Sequence, residues 1–258
     1  MTVPCLLAFD TSTEHMALAL VCPAGSFTHS APGGAHASAA LLPAAMALLR
    51  QAGLALADIQ AVAFGRGPGA FTGLRTSCAV AQGLAWGIGC PVLPIDSLLL
   101  VAEDAARQVP AADDCADLDI GVAMDARMDE AYAARYQYSG RDGAWHVLLP
   151  PALYTVPALA AAWAGDDAPA CVAGSALTAF GERLALPAAT RRVPHENDRA
   201  AALAALALRA WAAGQAIDAA QALPLYLRDK VALTTLERAA VRDAAQAAAA
   251  GVAGAAQR

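Results

Sequence analysis

The sequence predicts an α/β protein built from two similar lobes facing a cleft. Three observations predict it. Short apolar runs ending in a carboxylate or a glycine alternate with longer stretches of helical period, as layered strands and helices require. One such series fills the first hundred residues and a second starts at Asp119, where Met124-Asp125-Ala126-Arg127 lies over Phe9-Asp10-Thr11-Ser12. Finally, 58% of the 258 residues are hydrophobic and only 16% are charged, which excludes an intrinsically disordered chain and is enough for proper cores without staples.

In chain order, Cys5–Asp10 reads as a buried strand and Met16–Cys22 as its hairpin partner after the polar turn Thr11-Ser12-Thr13-Glu14. A loop of Pro, Gly, Ser and His follows. Ser38–Gln51 is helical, with Gly53 as its stop and Pro43 as a kink or as the start of the regular part. Its Leu41, Leu42, Ala45, Met46, Leu48 and Leu49 cover an arc of about 160°, wider than one packed face requires. Ile59–Gly65 is a strand, a helix begins at Thr72, Pro91–Ile95 is a strand and Ser97–Gln108 a helix. The second series repeats the hairpin with Asp119–Asp125 and Glu130–Tyr138. It continues with a helix near Val156–Ala164, a strand at Ala170–Gly174, a helix after Ser175 and a helix at Arg199–Ala213. These elements divide the chain into lobes 1–107 and 108–222, followed by a segment 223–258 whose end, Ala239–Arg258, is Ala/Gly low complexity.

The formal charge of −6 speaks against a stand-alone nucleic-acid binder driven by phosphate neutralisation. Lys230 is the only lysine, so the surface is poor in charge and part of it is expected to be covered by partners. Cys5, Cys22, Cys78, Cys90, Cys115 and Cys171 form no C-x-x-C pair and read as buried thiols of a reducing cytoplasm rather than zinc ligands or disulfides. Met1–Asp10 lacks the basic region of a secretory signal. Thr76–Ile95 carries no charge over a membrane-like length, but its Gly83, Gly87, Gly89 and Pro91 split it into helix, turn and strand, so no membrane partner is expected.

Gly65-Arg66-Gly67-Pro68-Gly69-Ala70-Phe71-Thr72-Gly73 is the most informative stretch. A strand, a glycine loop and a helix N-terminus can present backbone N–H groups to an anion. The same glycines can equally serve a tight turn that lets the following helix pack closely. The segment matches neither a Walker A loop nor G-x-G-x-x-G. Asp10 and Asp125, closing equivalent strands, could hold Mg²⁺ on a nucleotide across the cleft, with Thr11, Ser12 and Thr13 adding hydroxyls. The second hairpin opposes this, because Arg127 and Met128 are bulky and Asp129 and Glu130 add negative charge. No histidine pair has metal-binding spacing, and His36 reads as a helix cap or an interface residue. Arg191-Arg192 reads as a solvated turn, and Tyr226-Leu227-Arg228-Asp229-Lys230 as a docking tail.

The segments LAFDTST (Leu7–Thr13), AFGRGPGAFTGLR (Ala63–Arg75), VAQGLA (Val80–Ala85), AMDARMDEAY (Ala123–Tyr132) and YLRDKVA (Tyr226–Ala232) resemble the bacterial TsaB (YeaZ) family. The resemblance runs from about residue 5 to residue 238. It implies the duplicated fold shared by actin, sugar kinases and chaperone ATPases. It further implies a non-catalytic subunit that binds the TsaD transferase, joined by the TsaE ATPase, in making threonylcarbamoyladenosine in tRNA. No cofactor is then expected on this chain alone, ATP and magnesium being used by the complex, and tRNA is met through that complex. The Asn-His-x-x-x-His metal motif of catalytic relatives is replaced by Asp96-Ser97-Leu98-Leu99-Leu100-Val101, so no catalytic or metal residue is expected. The family's usual glycine in the second hairpin is Asp129 here. The family's partner surface lies on the first two helices, which designates His36, Leu41, Leu42, Met46, Leu49, Phe71 and Arg75 as interface residues, a homodimer through the same surface staying open. Asp10, Thr11, Ser12 and Gly67 are the positions where a residual nucleotide contact is expected. A free-standing sugar-kinase-like enzyme and a metallopeptidase are the competing readings.

Overall fold

Each half of the chain opens with an antiparallel three-strand meander and continues as helix, strand, helix, strand, helix. The structure is a computed structural model and describes residues 3–109 and 117–228. The chain divides into units Met1–Leu227 and Arg228–Arg258, of which the first is described below. The first half contains β1 (Leu6–Asp10), β2 (His15–Cys22), β3 (Gly25–Pro32), α1 (Ala37–Ala52), β4 (Ala61–Gly67), α2 (Phe71–Ile88), β5 (Val92–Asp96) and α3 (Ser97–Gln108). The second contains β6 (Leu118–Asp125), β7 (Glu130–Ser139), β8 (Ala144–Thr155), α4 (Val156–Ala162), β9 (Cys171–Ala173), α5 (Ala176–Phe180), β10 (Arg191–Val193) and α6 (Arg199–Ala212). Strand order is β3-β2-β1-β4-β5 in one sheet and β8-β7-β6-β9-β10 in the other. In both, the first strand pairs antiparallel with the second and parallel with the fourth. The duplication expected from the two hairpins is therefore a duplication of the whole strand order.

The elements follow from the residues. β1 is buried along its whole length and β2 along all but His15, so both are continuously buried rather than alternating, with Asp10 the one charged residue of β1. α1 and α2 each end on a left-handed glycine, Gly53 and Gly89. Helix α1 runs unbroken through Pro43, which faces solvent where a missing backbone donor is tolerated. Three sequence readings are corrected. The loop expected after Cys22 is strand β3, exposed on most of its length. A third strand, β8, completes the second meander where no element was expected. Arg191-Arg192 is not a turn but begins the short edge strand β10. Cys115, Asp229, Lys230, the end of the YLRDKVA motif and the Ala239–Arg258 tail lie outside the described residues.

Four apolar clusters sandwich the sheets. Leu41, Ala45, Leu48 and Leu49 of α1 and Cys78, Ala81 and Ala85 of α2 pack on Leu7, Phe9, Leu18, Leu20 and Phe64. The opposite face of the first sheet, with Leu6, Ala8, Ala63 and Leu93, is covered mainly by Ala202, Leu203, Leu206 and Ala207 of α6. Helix α3 sends Leu98, Val101, Ala102 and Ala105 to the second sheet, against Ile120, Val122 and Tyr136. Val156 and Leu159 of α4 and Ala176 and Phe180 of α5 cover the remaining face. The last helix of each half is thus exchanged: α6 roofs the first sheet and α3 the second. Burying each such leucine contributes about 1.5–3 kcal/mol, so the exchanged helices help hold the two halves together. The carboxylates of α3 tie the exchange. Glu103, 4% exposed, accepts from Arg107, Arg209 and Trp145, and Asp104 accepts the backbone N–H groups of Asn197 and Asp198.

Candidate functional site

The site grows from the C-terminal ends of β1, β4 and β5, which bring Asp10, the glycine loop and Ser97 together beneath the start of α6. Because Asp104 holds the N–H groups of Asn197 and Asp198, and Asp198 caps α6 through Ala201 N–H, the first helical residue, Arg199, is aimed inward. It is 6% exposed, and Asp10 is fully buried. Arg199 donates to Asp10 Oδ1 from Nη2 at 3.0 Å and from Nε at 3.2 Å. The same oxygen accepts Ser12 N–H at 3.0 Å and Ser12 Oγ–H at 2.7 Å. Asp10 Oδ2 accepts the Ser97 hydroxyl at 2.7 Å, and Ser97 Oγ in turn accepts Gly67 N–H at 3.0 Å. Burial opposes the charge on Arg199, but Asp10 and Glu196 more than offset it and hold the guanidinium above its ordinary pKa. The aspartate is neutralised from within.

The glycines of the loop are explained by contact with the protein itself. A Cβ at Gly65 would lie 1.6 Å from Asp10 Oδ2, at Gly69 2.4 Å from Ser12 O, and at Gly73 1.8 Å from Thr11 O. The loop therefore folds down on the Asp10-Thr11-Ser12 turn. Ala70 N–H donates to Ser12 O at 2.7 Å, and Thr11 Oγ1 donates to Gly73 O at 2.7 Å while Thr11 N–H reaches Ser77 Oγ. Gly67 takes φ +108°, and the Gly67–Pro68 peptide is cis. Of the two readings left open by the sequence, the close-packing one accounts for all three of these spacings.

Asp96 caps α3 by accepting Leu98 N–H and also accepts the Tyr136 hydroxyl at 2.7 Å. Burial pushes its carboxyl above the ordinary range, although the Tyr136 bond, the Leu98 N–H and the Arg66 charge pull the other way. Ser97 and Val101, at the positions of the metal histidines, are bonded to Asp10 and buried in the core respectively. Among the described residues no group of three His, Cys, Asp or Glu side chains could hold a metal ion. None of their helices is long and apolar enough to cross a membrane.

At the equivalent end of β6, Asp125 Oδ1 accepts Arg127 N–H at 2.8 Å and Oδ2 lies 3.6 Å from Arg127 Nη1. Arg127 also reaches Glu14 at 2.8 Å, joining the two hairpin turns. Arg127, Met128 and Asp129 all take left-handed backbone, with φ of +64°, +56° and +62°. Asp129, where the family resemblance expects glycine, is gripped by Arg183 through two bonds, which lowers its carboxyl pKa.

The expected interface residues separate into three groups. Leu41 and Leu49 are corrected to core positions, 0% and 1% exposed, because α1 packs on both sheet and neighbouring helix and uses most of its wide stripe internally. Leu42 is 45% exposed, Met46 is half-buried, and His36 is exposed at the α1 N-terminus with no side-chain capping bond. Phe71 and Arg75 meet this chain's own Tyr226: the Arg75 guanidinium lies 3.9 Å over the Phe71 ring and its Nε donates to Tyr226 Oη at 3.2 Å. The Phe71 and Tyr226 rings meet at a tilt, their centroids 5.2 Å apart. The residue missed by sequence reasoning is Trp86, 63% exposed on α2. With Thr72, Arg75, Ala79, Gly83 and Gly87 it forms the outward stripe of that helix, and nothing stands within 4 Å of a Cβ built at either glycine. Arg199 and Ser77 were missed as well. An arginine at a helix N-terminus, where the macrodipole disfavours a cation, was the available signal for Arg199.

Comparison with known proteins decides the family. The chain is 33% identical over 239 residues to the tRNA threonylcarbamoyladenosine biosynthesis protein TsaB of Escherichia coli, covering 88% of this chain and 96% of that protein. The chain belongs to the TsaB family. The TsaB of Haemophilus influenzae is 42% identical over 129 residues, 49% of this chain and 51% of that protein. The solved structure of YeaZ from Pseudomonas aeruginosa is similar at 36% identity with a TM-score of 0.75, covering 88% of this chain and all of that one. A family model described as TsaD, tRNA N6-adenosine threonylcarbamoyltransferase, matches residues 27–160. The two-lobed, duplicated architecture of the kinase–actin type accords with all of these.

Proposed function

We propose that this chain is a non-catalytic subunit in the formation of threonylcarbamoyladenosine in tRNA, a cytoplasmic protein that docks on a TsaD-type transferase with a TsaE-type ATPase. The observation that carries the proposal is the Arg199–Asp10 pair. A kinase-like fold holds its metal–nucleotide with a carboxylate at this strand end, and here that carboxylate already has a buried cation of its own. The residues do not fit a magnesium–nucleotide: Asp10 and Asp125 are each paired with an arginine, and the glycine loop packs directly on Thr11 and Ser12. ATP and magnesium belong to the complex, and tRNA is reached through it.

The partner surface is the outward stripe of α2 with Leu42 and Met46 of α1. Glycines at 83 and 87 destabilise an exposed helix by roughly 0.5–1 kcal/mol each relative to alanine, which makes sense where another helix must approach closely. The lobes 1–107 and 108–222 act as one body in this role, the first presenting the docking helices. Purified chain is mixed with a TsaD-type subunit and the pair followed by gel filtration and calorimetry. Leu42→Asp with Trp86→Asp lowers affinity at least about 100-fold while the circular dichroism spectrum stays unchanged. Unimpaired association, or ATP–Mg²⁺ binding and turnover by the chain alone, defeats the proposal.

A further inference from the structure

Cys5 and Cys22 stand opposite each other on the first hairpin. The register of β1 and β2 runs from Asp10↔Ala17 to Leu6↔Val21, and one more step outward sets Cys5 against Cys22. Side-chain alternation turns both toward the face that carries Leu7, Phe9, Leu18 and Leu20, and Cys5 packs on that cluster. The peptide groups of Cys5 are spent on the other side of the strand. Its N–H donates to Gln60 Oε1 at 2.9 Å and its carbonyl accepts Gln60 N–H at 2.8 Å. Neither is directed at Cys22, so the two cysteines form a non-hydrogen-bonded cross-strand pair. In such pairs the Cα atoms are about 4.5 Å apart and the side chains are at their closest. That spacing falls at the short end of the roughly 4.4–6.8 Å a disulfide spans. The proximity is also felt electrostatically: burial first, then Cys22, pushes the Cys5 thiol above its ordinary pKa.

We propose that Cys5 and Cys22 are a redox-active pair that forms a reversible disulfide across β1 and β2. Cys5 is half-buried and Cys22 is 3% exposed, which fixes the order of events. The Cys5 thiolate attacks an oxidised low-molecular-weight disulfide such as glutathione disulfide, forming a mixed disulfide and expelling one thiolate, which takes up the proton lost by Cys5. The Cys22 thiolate then attacks the Cys5 sulfur, expelling the second thiolate, which takes up the proton from Cys22. Two electrons pass from the cysteine pair to the oxidant, and two reduced thiols leave. Excess reduced thiol reverses both exchanges and reopens the bond. Among the described residues the other cysteines serve as internal controls. Cys171 stands in register with Ile120 and Arg191, and Cys78, on helix α2, donates to Ala222 O much as Cys22 donates to Gly25 O.

The test incubates the full chain with glutathione disulfide at pH 8.5, quenches with iodoacetamide and maps peptides by mass spectrometry without reduction. The expected product joins the peptides containing Cys5 and Cys22, is two hydrogens lighter than their sum, and disappears with dithiothreitol. Cys22→Ser is expected to halt at a glutathione adduct on Cys5, and Cys5→Ser to leave Cys22 without an adduct. Recovery of both cysteines alkylated, a wild-type chain that stops at the Cys5 adduct, or a Cys5 linked to another cysteine such as Cys90 overturns the proposal.

Discussion

The ends of β1 and β6 are the same place in two copies of one fold, yet they have been closed in opposite ways. In the first half the strand-end carboxylate is fully buried and shares a hydrogen-bonded network with Arg199, Ser12 and Ser97. In the second, Asp125 keeps some exposure and is paired with Arg127, whose own side chain is three-quarters exposed. The first end is a packed core that contains charges, and the second is a surface turn that contains strain. One strand-end carboxylate is thus met by a cation from the other half of the molecule, and the other by a turn whose backbone lies in a left-handed conformation.

The largest effect that sharpens this contrast is expected at Asp10. Asp10→Ala removes the main partner of a buried guanidinium and should lower stability by about 3 kcal/mol in urea unfolding, whereas Asp125→Asn should change it by less than about 1 kcal/mol. The double variant Asp10→Asn with Arg199→Met should recover most of the loss, because an uncharged pair needs no compensation. Equal effects at Asp10 and Asp125 would erase the distinction. Next in size, Gly73→Ala forces a methyl onto the Thr11 carbonyl and should destabilise by about 2–3 kcal/mol, while Gly83→Ala on the outer stripe of the same helix should stabilise the isolated chain by roughly 0.5–1 kcal/mol.

Asp96 gives a third test, read in pH. Its carboxyl is raised in the fold, so the folded state favours the protonated acid. That contribution is complete below the unfolded carboxylate pKa and is lost as pH climbs through the raised folded value. Asp96→Asn should therefore gain on the native chain as pH rises above the unfolded carboxylate pKa and level off above the raised folded value, measured as the difference in urea midpoint; a constant offset would deny Asp96 this role. The smallest effect is at the second turn. Met128→Gly should raise stability by about 0.5 kcal/mol, the relief of left-handed strain slightly exceeding the entropy glycine adds to the unfolded chain.

The sequence made legible whatever depended on local pattern. The paired hairpins, the glycine loop and its following helix, and the stop at Gly53 could all be read from neighbouring residues. Strands β3 and β8 could not, because each is a sheet edge: β3 carries Gly, Ser, Thr, His and Pro on an exposed surface, and β8 contains Pro150 and Pro151. Their strand character comes from one neighbour rather than from their own residues. The width of the α1 stripe was correctly seen, but periodicity does not say which part of a wide stripe is already covered, so Leu41 and Leu49 were assigned outward and proved internal. The Arg199–Asp10 pair lies 189 residues apart in sequence, a separation at which no local signal reports a contact.

The exchange of α3 and α6 has a consequence for how such a protein can be divided. A chain cut in the 108–117 connection yields two pieces, each missing the helix that seals its own sheet and each carrying the helix that belongs on the other. Neither fragment is a smaller version of the whole; they are complements, like two halves of a torn sheet of paper. The swap makes the repeat indivisible, so unfolding is expected to take both lobes in one step.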